Sequence, residues 1–331
     1  MYIPIQKPIV FLLAVAMFAL CTPTTHAATL VPRRLDGVYV PSGKENLWPI
    51  AVMIDNHTAA RPQSSLQKAS VVYESLAEGG IPRFMAVYAD PSVGTVGPIR
   101  STRPYFVRFA AEYNAALAHA GGSPDGINVL KQTRLINLEG LKKPYANLFF
   151  RAYGGGVHGL YTTIGKLWKA IAATRTVKVA KPVYAAYHFA DGVALAQRGK
   201  DKGGVTIDLG YGKLYDIKYV YNKKLNSYMR YTGGAVHKDR QTKSQISVKN
   251  VIIEITSKEK VLDRKGRLDI QTIGSGKGIL FQNGKSQTIT WKKSTTKGRT
   301  IYKNKFGSEI KLVRGNTWIT VVPKGHSYKI F

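Results

Sequence analysis

Cysteine is almost absent from this chain of 331 residues: Cys21 is the only one. A disulfide framework is therefore excluded, and if Cys21 is removed with a leader, no thiol remains for nucleophilic catalysis. Acid is scarce as well, with 19 Asp and Glu against 49 Lys and Arg. The deficit is uneven. Residues 1–160 hold 15 cations and 9 acids, whereas residues 161–331 hold 34 and 10, so the second half carries +24 of a total of +30. Catalytic signatures are missing too. There is no Gly-x-Ser-x-Gly elbow and no His-Glu-x-x-His, and the histidines at 57, 119, 158, 188, 237 and 326 show no paired ligand spacing. These absences argue against a serine hydrolase of that type and against a zinc centre, and no cofactor is expected.

One long apolar run stands near the start. Lys7, the run Ile9 to Leu20 and the small polar stretch Cys21 to Ala28 follow the order of a secretion signal. The run is too short to span a bilayer comfortably. Residues 1–27 read as a signal peptide cut before Ala28, with Thr25 and Ala27 at the positions where small residues are preferred. Two modes stay open. Cys21 either leaves with the leader or carries a lipid, and Leu20 is bulkier than a lipid-attachment signal prefers. Both give an extracytoplasmic protein, secreted or membrane-associated. An exported basic chain meets wall polymers and acidic phospholipid surfaces before nucleic acid, so the former are the expected partners, together with proteins of wall synthesis. The competing reading is a lysine-rich solubilising surface with no partner.

The fold class expected is α+β: a mixed α/β N-terminal domain followed by a mainly antiparallel β domain. Residues 28–45 are short of apolar clusters and read as a linker. In 46–195, the continuous apolar run Trp48 to Ile54 reads as a buried strand ending in Asp55-Asn56-His57. Val71 to Tyr73 and Arg83 to Tyr88 read as further strands. Helices are expected at Pro104 to Glu112, Asp125 to Gln132 and, most clearly, Leu160 to Ala173 with its apolar i, i+3, i+4, i+7 spacing. From 196 to 331 the chain turns to short alternating strands with glycine turns. Ile273 to Gly278 resembles a phosphate loop but lacks its spacing, and reads as a β-turn.

Polar residues concentrate between 55 and 125, where Asp55, Asn56, Arg61, Glu74, Glu78, Arg83, Arg100, Arg103, Arg108, His119 and Asp125 fall at element ends. Five are arginines in a chain otherwise dominated by lysine, and the guanidinium fork suits carboxylate or phosphate. The sharpest piece is Gly97 to Pro104, where Arg100, Ser101 and Arg103 lead into a helix start. The candidate binding set is Arg61, Arg83, Arg100, Ser101, Arg103, Asp55, Glu74, Glu78 and His119. The alternative is an internal network in which Arg100 and Arg103 pair with Glu74 and Glu78.

The order Ala51 to Asn56, Arg61 to Gln63, Val72 to Glu74, Glu78 to Phe84, Gly97 to Arg103 and His119 to Ser123 resembles the YerB family of bacterial surface lipoproteins. The likeness continues through Tyr228 to Arg230, His237 to Asp239 and Gly315 to Pro323. It implies two domains of unknown function and no reaction. This chain departs from the family at Leu20 and at Gly156 to Gly159, where a Pro-His-Asn-like segment is common. A remoter similarity, in the order of features only, is to the LytR–CpsA–Psr enzymes, which transfer phosphate-linked glycopolymers. On that analogy Arg100 and Arg103 bind phosphate and Asp55 helps place a metal. The leading expectation is a non-enzymatic envelope module that binds an anionic wall polymer, a lipid or a wall-synthesis protein. The alternative is a wall-polymer phosphotransferase or hydrolase.

Overall fold

The computed structural model describes residues 1–3, 29–174, 182–209 and 212–331. The apolar run and Cys21 of the expected signal lie outside these residues. No described helix is long and apolar enough to cross a membrane.

A ten-stranded mixed sheet organises the molecule. Its first five strands in space, Ile301–Lys303, Lys285–Lys293, Gly274–Gln282, Asn250–Thr256 and Thr317–Pro323, come from the second half of the chain. The next five, Val71–Ser75, Arg83–Tyr88, Ile50–Ile54, Ala116–His119 and Asn137–Glu139, come from the first. The two blocks meet where Thr317–Pro323 runs parallel to Val71–Ser75, from Thr317 beside Val71 to Thr320 beside Glu74. The strands at this seam are buried along their whole length. A strand covered on both faces does not alternate, and its polar residues, here Glu74, Ser75, Thr317 and Thr320, are buried with the rest. One hydrophobic cluster spans both halves and includes Val52, Tyr73, Phe84, Trp318 and Val321.

A second, antiparallel sheet of six strands lies wholly in the basic half, with Gly204–Asp208, Ile217–Asn222, Ser227–Thr232 and Ser327–Ile330 as its main members. The architecture is α+β. Among the described residues three α-helices complete it. Helices α1 (Pro104–Glu112) and α2 (Pro124–Thr133) both begin with proline, whose missing amide hydrogen would lack a helical partner there. Ser123 caps α2 by accepting from Gly126 N at 3.1 Å.

Three local expectations need correction. Leu160 to Thr163 is a strand paired with Thr95–Val96 and Phe150–Arg151, and helix α3 spans Ile164–Ala172 only. Tyr161, Thr162 and Thr163 favour an extended chain, and the Thr163 hydroxyl caps α3 at Lys166 N. The segment expected as a linker is folded from residue 30 onward: Leu30–Pro32 pairs with Tyr39–Pro41, and Leu35 and Asp36 are buried. Asp36 binds Arg33 and Ser70, so the segment is bonded to the seam strand's flank. Gly274 to Gly278 is extended strand, not a turn. A Cβ at Gly276 would come within 2.5 Å of Ile255 O and 2.6 Å of Trp291 Nε1, so this glycine admits a close crossing of Trp291.

Candidate functional site

The four arginines of the candidate binding set divide into three groups. In the first, Glu78 in the turn after Val71–Ser75 receives both Arg83 and Arg103. Arg83 Nη2 lies 3.1 Å from its Oε2, and Arg103 Nε donates to its Oε1. Burial works to raise the Glu78 carboxyl pKa, but the Arg103 hydrogen bond and the Arg83 charge outweigh it and hold it below its usual value. Burial, with the nearby Arg103 charge, lowers the pKa of Arg83. Remaining donors go to the backbone: Arg83 Nη1 to Ser101 O at 3.1 Å and Arg103 Nη1 to Thr102 O at 2.6 Å. Both guanidinium groups are thus consumed by the protein itself.

The second group crosses the seam. Glu74 Oε1 accepts from Arg230 Nη2 at 2.8 Å, and both side chains are essentially inaccessible. Arg230 also donates to Tyr219 OH and lies over the rings of Trp318, Tyr219 and Phe84. Its Nε donates to His237 Nδ1 at 2.9 Å. A guanidinium only donates, so Nδ1 accepts and the His237 proton sits on Nε2, which donates to Gln63 Oε1 at 2.8 Å. Gln63 Nε2 then donates to Asp55 O and Asn56 Oδ1. Burial, reinforced by the Arg230 and Arg61 charges, pushes the His237 pKa well below its ordinary value and keeps the ring neutral. Burial likewise raises the Glu74 pKa despite Arg230. Arg61 ends this chain, donating to Asn56 Oδ1 and Leu214 O at the lip of a hollow of about 280 Å³ lined also by Val236, His237 and Lys238.

The third group faces solvent at the tip of Ile50–Ile54. Asp55 Oδ2 meets His158 Nδ1 at 2.7 Å and Arg100 Nε at 3.1 Å, while Oδ1 accepts from His57 N at 2.9 Å. The His57 ring stacks on His158 at 4.5 Å. Asp55 is 3% exposed and His158 is 24% exposed, so a buried carboxylate orients an accessible imidazole. Because Nδ1 must donate to the carboxylate, Nε2 is the nitrogen free to take a proton. The Asp55 carboxylate thus meets one guanidinium, one imidazole and one backbone amide, not a second carboxylate, which does not fit the metal-placing role of the LytR–CpsA–Psr analogy. Among the described residues no group of three or more His, Cys, Asp or Glu is placed to hold a metal ion.

The other candidates are structural. His119 is fully buried, with Nε2 on Asn137 Oδ1 and Nδ1 on Gly121 O, both at 2.8 Å. Ser101 Oγ donates to Ala120 O at 2.8 Å. The structure thus brings Asp55 and Arg100 together, sends Arg83 and Arg103 to Glu78, and gives Glu74 a different partner from those expected. Sequence reasoning missed Arg230, His237, Gln63 and the bond from His158 to Asp55. One signal was available: Arg230 occupies an inward position of the alternating strand Ser227–Thr232, where a cation requires a buried acid.

Two family models match the chain, "Protein of unknown function (DUF3048) N-terminal domain" over residues 35–178 and its C-terminal counterpart over 206–319. The chain is 34% identical over 278 residues to "Putative lipoprotein YerB" of Bacillus subtilis (strain 168), covering 83% of this chain and 81% of that protein. It also matches the crystal structure of the YerB protein from Bacillus subtilis with a TM-score of 0.78 and 31% identity, over 90% of this chain and 99% of that one. The chain therefore belongs to the DUF3048 family, the family of YerB.

Proposed function

We propose that this is an extracytoplasmic, envelope-associated protein that binds an anionic polymer or lipid surface through its basic half, without turning it over. A relative named as a lipoprotein supports the location. The observation that carries the binding reading is the state of the cations. Of the 34 Lys and Arg in residues 161–331, those paired with a carboxylate among the described residues are Arg230, Arg267, Lys293, Arg299 and Arg314. In residues 1–160, Arg33, Arg83, Arg100 and Arg103 are paired with carboxylates within the fold, a larger share of a much smaller set of cations. Unpaired surface ammonium groups keep their field for an external polyanion. The test is co-sedimentation of the full chain with purified cell walls and with vesicles containing phosphatidylglycerol, in rising salt. Retention should fall steeply between roughly 0.05 and 0.5 M as the Debye length shrinks; retention by neither material at low salt would refute the reading.

A second reading, a wall-polymer phosphotransferase or hydrolase, is favoured by one arrangement: the Asp55–His158 pair with Arg100 beside it can take a proton from a nucleophile and present a cation nearby. Its test is turnover of a polyprenyl-pyrophosphate-linked glycan by the full chain and by His158→Ala. Turnover abolished by that substitution would establish the enzyme, and binding without turnover leaves the module.

A further inference from the structure

We infer a defined polyanion site on the outer strands of the ten-stranded sheet, built from Lys277, Lys292 and Lys303 and suited to a flexible phosphodiester polymer. The inference deepens the anion-binding reading above and rests on it.

The register sets the geometry. Lys277 lies opposite Thr290, and Thr290 opposite Lys303; Ser275 lies opposite Lys292, and Lys292 opposite Ile301. Directly opposed residues in an antiparallel pair share a face, and positions two apart along a strand share it again. All six side chains therefore stand on one side of three adjacent strands. Their backbones place Lys277 and Lys303 about 10 Å apart, with Lys292 about 7 Å along the central strand from the row they define. The three lysines are exposed, and among the described residues none has a carboxylate partner. Glu309 is bridged directly opposite Lys303, and its carboxylate is held by Arg299 at 2.6 Å rather than by Lys303. The face encloses a hollow of about 530 Å³, larger than one phosphate group fills.

The opposite side of the same strands is a fixed floor. Trp291 is 2% exposed and its Nε1 donates to Ile255 O at 3.0 Å; Tyr302 OH donates to Glu254 Oε1; Lys293 Nζ lies 3.0 Å from Glu112 Oε1. The lysine Cα spacing is thus set before any ligand arrives, which reduces the ordering cost of binding.

The chemistry of the face selects the ligand. Lysine ammonium groups act as point charges without the planar fork that reads one carboxylate or phosphate. Three of them, spread over a wide face with the hydroxyls of Ser275 and Thr290 between, suit repeated phosphates along a hydroxyl-bearing chain. Single-stranded nucleic acid is disfavoured within the hollow, because base stacking needs exposed aromatic rings and the ring that lines it, Trp291, is buried; the exposed ring of Phe306, in the turn after Lys303, is not among its lining residues. Among the lining residues Ile301 alone offers partly exposed apolar surface, too little to insert into a bilayer.

The experiment measures binding of a synthetic oligo(glycerol phosphate) to the full chain against salt, with poly-glutamate and oligo-dT of matched charge alongside. The triple variant Lys277→Gln, Lys292→Gln, Lys303→Gln should lose about a hundredfold in affinity at 0.1 M salt, and its log–log salt slope should fall by about 2. A control variant with Lys218 and Lys329 on the second sheet and Lys213 in the turn before Ile217–Asn222 changed to Gln should lose only a few-fold in affinity, as expected for distant charges of the same basic half. Equal losses in both variants, or none in the first, would overturn the site while leaving anion binding intact. Poly-glutamate or oligo-dT binding as tightly as the phosphodiester would overturn the ligand class. Failure of the parent chain to bind any of the three would defeat the anion-binding reading itself. Unchanged circular dichroism and thermal midpoint in both variants exclude misfolding as the cause of a loss.

Discussion

Arg230 and Glu74, 156 positions apart, form a fully buried ion pair at 2.8 Å across the seam where the two halves of the central sheet join. The pair is capped by aromatic rings and by neutral His237, and its side chains are 0% and 1% exposed. Removing one partner leaves an uncompensated buried charge, which costs about 3–5 kcal/mol. Arg230→Ala should lower the urea midpoint by a corresponding amount. Removing both charges in Glu74→Gln with Arg230→Met should recover a large part of that loss, because the pair's own desolvation penalty disappears with it. A double variant as unstable as Arg230→Ala would show that packing around the guanidinium, not its charge, holds the seam.

Stability should fall with rising pH on the alkaline side of neutrality. Burial pushes the Glu254 carboxyl up to about 8, aided by the Glu112 charge and opposed by the Tyr302 hydrogen bond and by Lys293. A raised folded pKa means the native state holds a proton that the unfolded chain has already lost. The associated stability is complete below about pH 4.3 and is lost as pH rises through 8, at about 1.4 kcal/mol per unit. Buried His237 has the opposite sign: its depressed pKa removes stability as pH falls below about 6.5. The Glu254 and His237 slopes oppose each other between about 4.5 and 6.5; between about 6.5 and 8 the decline comes from Glu254 and, with the same sign, from Glu74, whose carboxyl pKa burial also raises, and the Glu254→Gln comparison separates the two. Urea titrations across that window should show the fall in the parent chain and a shallower one in Glu254→Gln. Parallel curves would sink this assignment.

The elements that were legible were those whose physics is local. Pro104 and Pro124 mark helix starts, the strand Ile50–Ile54 announces itself as a continuous apolar run, and Thr317–Pro323 reads as one of the short strands of the second half. The pairing of Thr317–Pro323 with Val71–Ser75 was not legible, because a parallel contact across more than two hundred residues leaves no local mark. For the same reason Arg100 and Arg103 were grouped by proximity in sequence, whereas the fold turns one to Asp55 and the other to Glu78. Arg230, which does meet Glu74, lies in the half read only for its surface charge. The departure from the family pattern at Gly156 to Gly159 gives no hint of the contact of His158 with Asp55, which depends on strand placement that this segment does not encode.

The segment before residue 46 behaves as part of the fold, and this is measurable. Asp36 is 3% exposed and accepts from Arg33 at 3.0 and 2.7 Å, from Ser70 Oγ at 2.6 Å and from Val38 N at 3.1 Å. Asp36→Ala strands the Arg33 charge and the Ser70 hydroxyl. A loss of about 2 kcal/mol or more is expected, since hydrogen bonds to charged groups are worth about 1.5–3 kcal/mol. A free tether would tolerate the change without any shift in the urea midpoint.

Gly276→Ala separates a backbone requirement from the flexibility a glycine-rich stretch suggests. In an unobstructed strand, alanine would stabilise by about 0.5–1 kcal/mol through the lower entropy of the unfolded chain. Here its Cβ would meet Ile255 O at 2.5 Å and Trp291 Nε1 at 2.6 Å, atoms that are themselves hydrogen-bonded at 3.0 Å. Overpacking of this kind costs about 1–3 kcal/mol, so the clash should win and the variant should be less stable than its parent. Moving Trp291 off Ile255 O should also shift tryptophan emission. Gly94→Ala is the control, because nothing lies within 4 Å of its added Cβ and its backbone angle suits alanine. Gly94→Ala should match or exceed the parent's stability while Gly276→Ala falls below it. A Gly276→Ala protein as stable as the control would mean that the strand yields at this crossing, and that the floor beneath Lys277, Lys292 and Lys303 is not rigid.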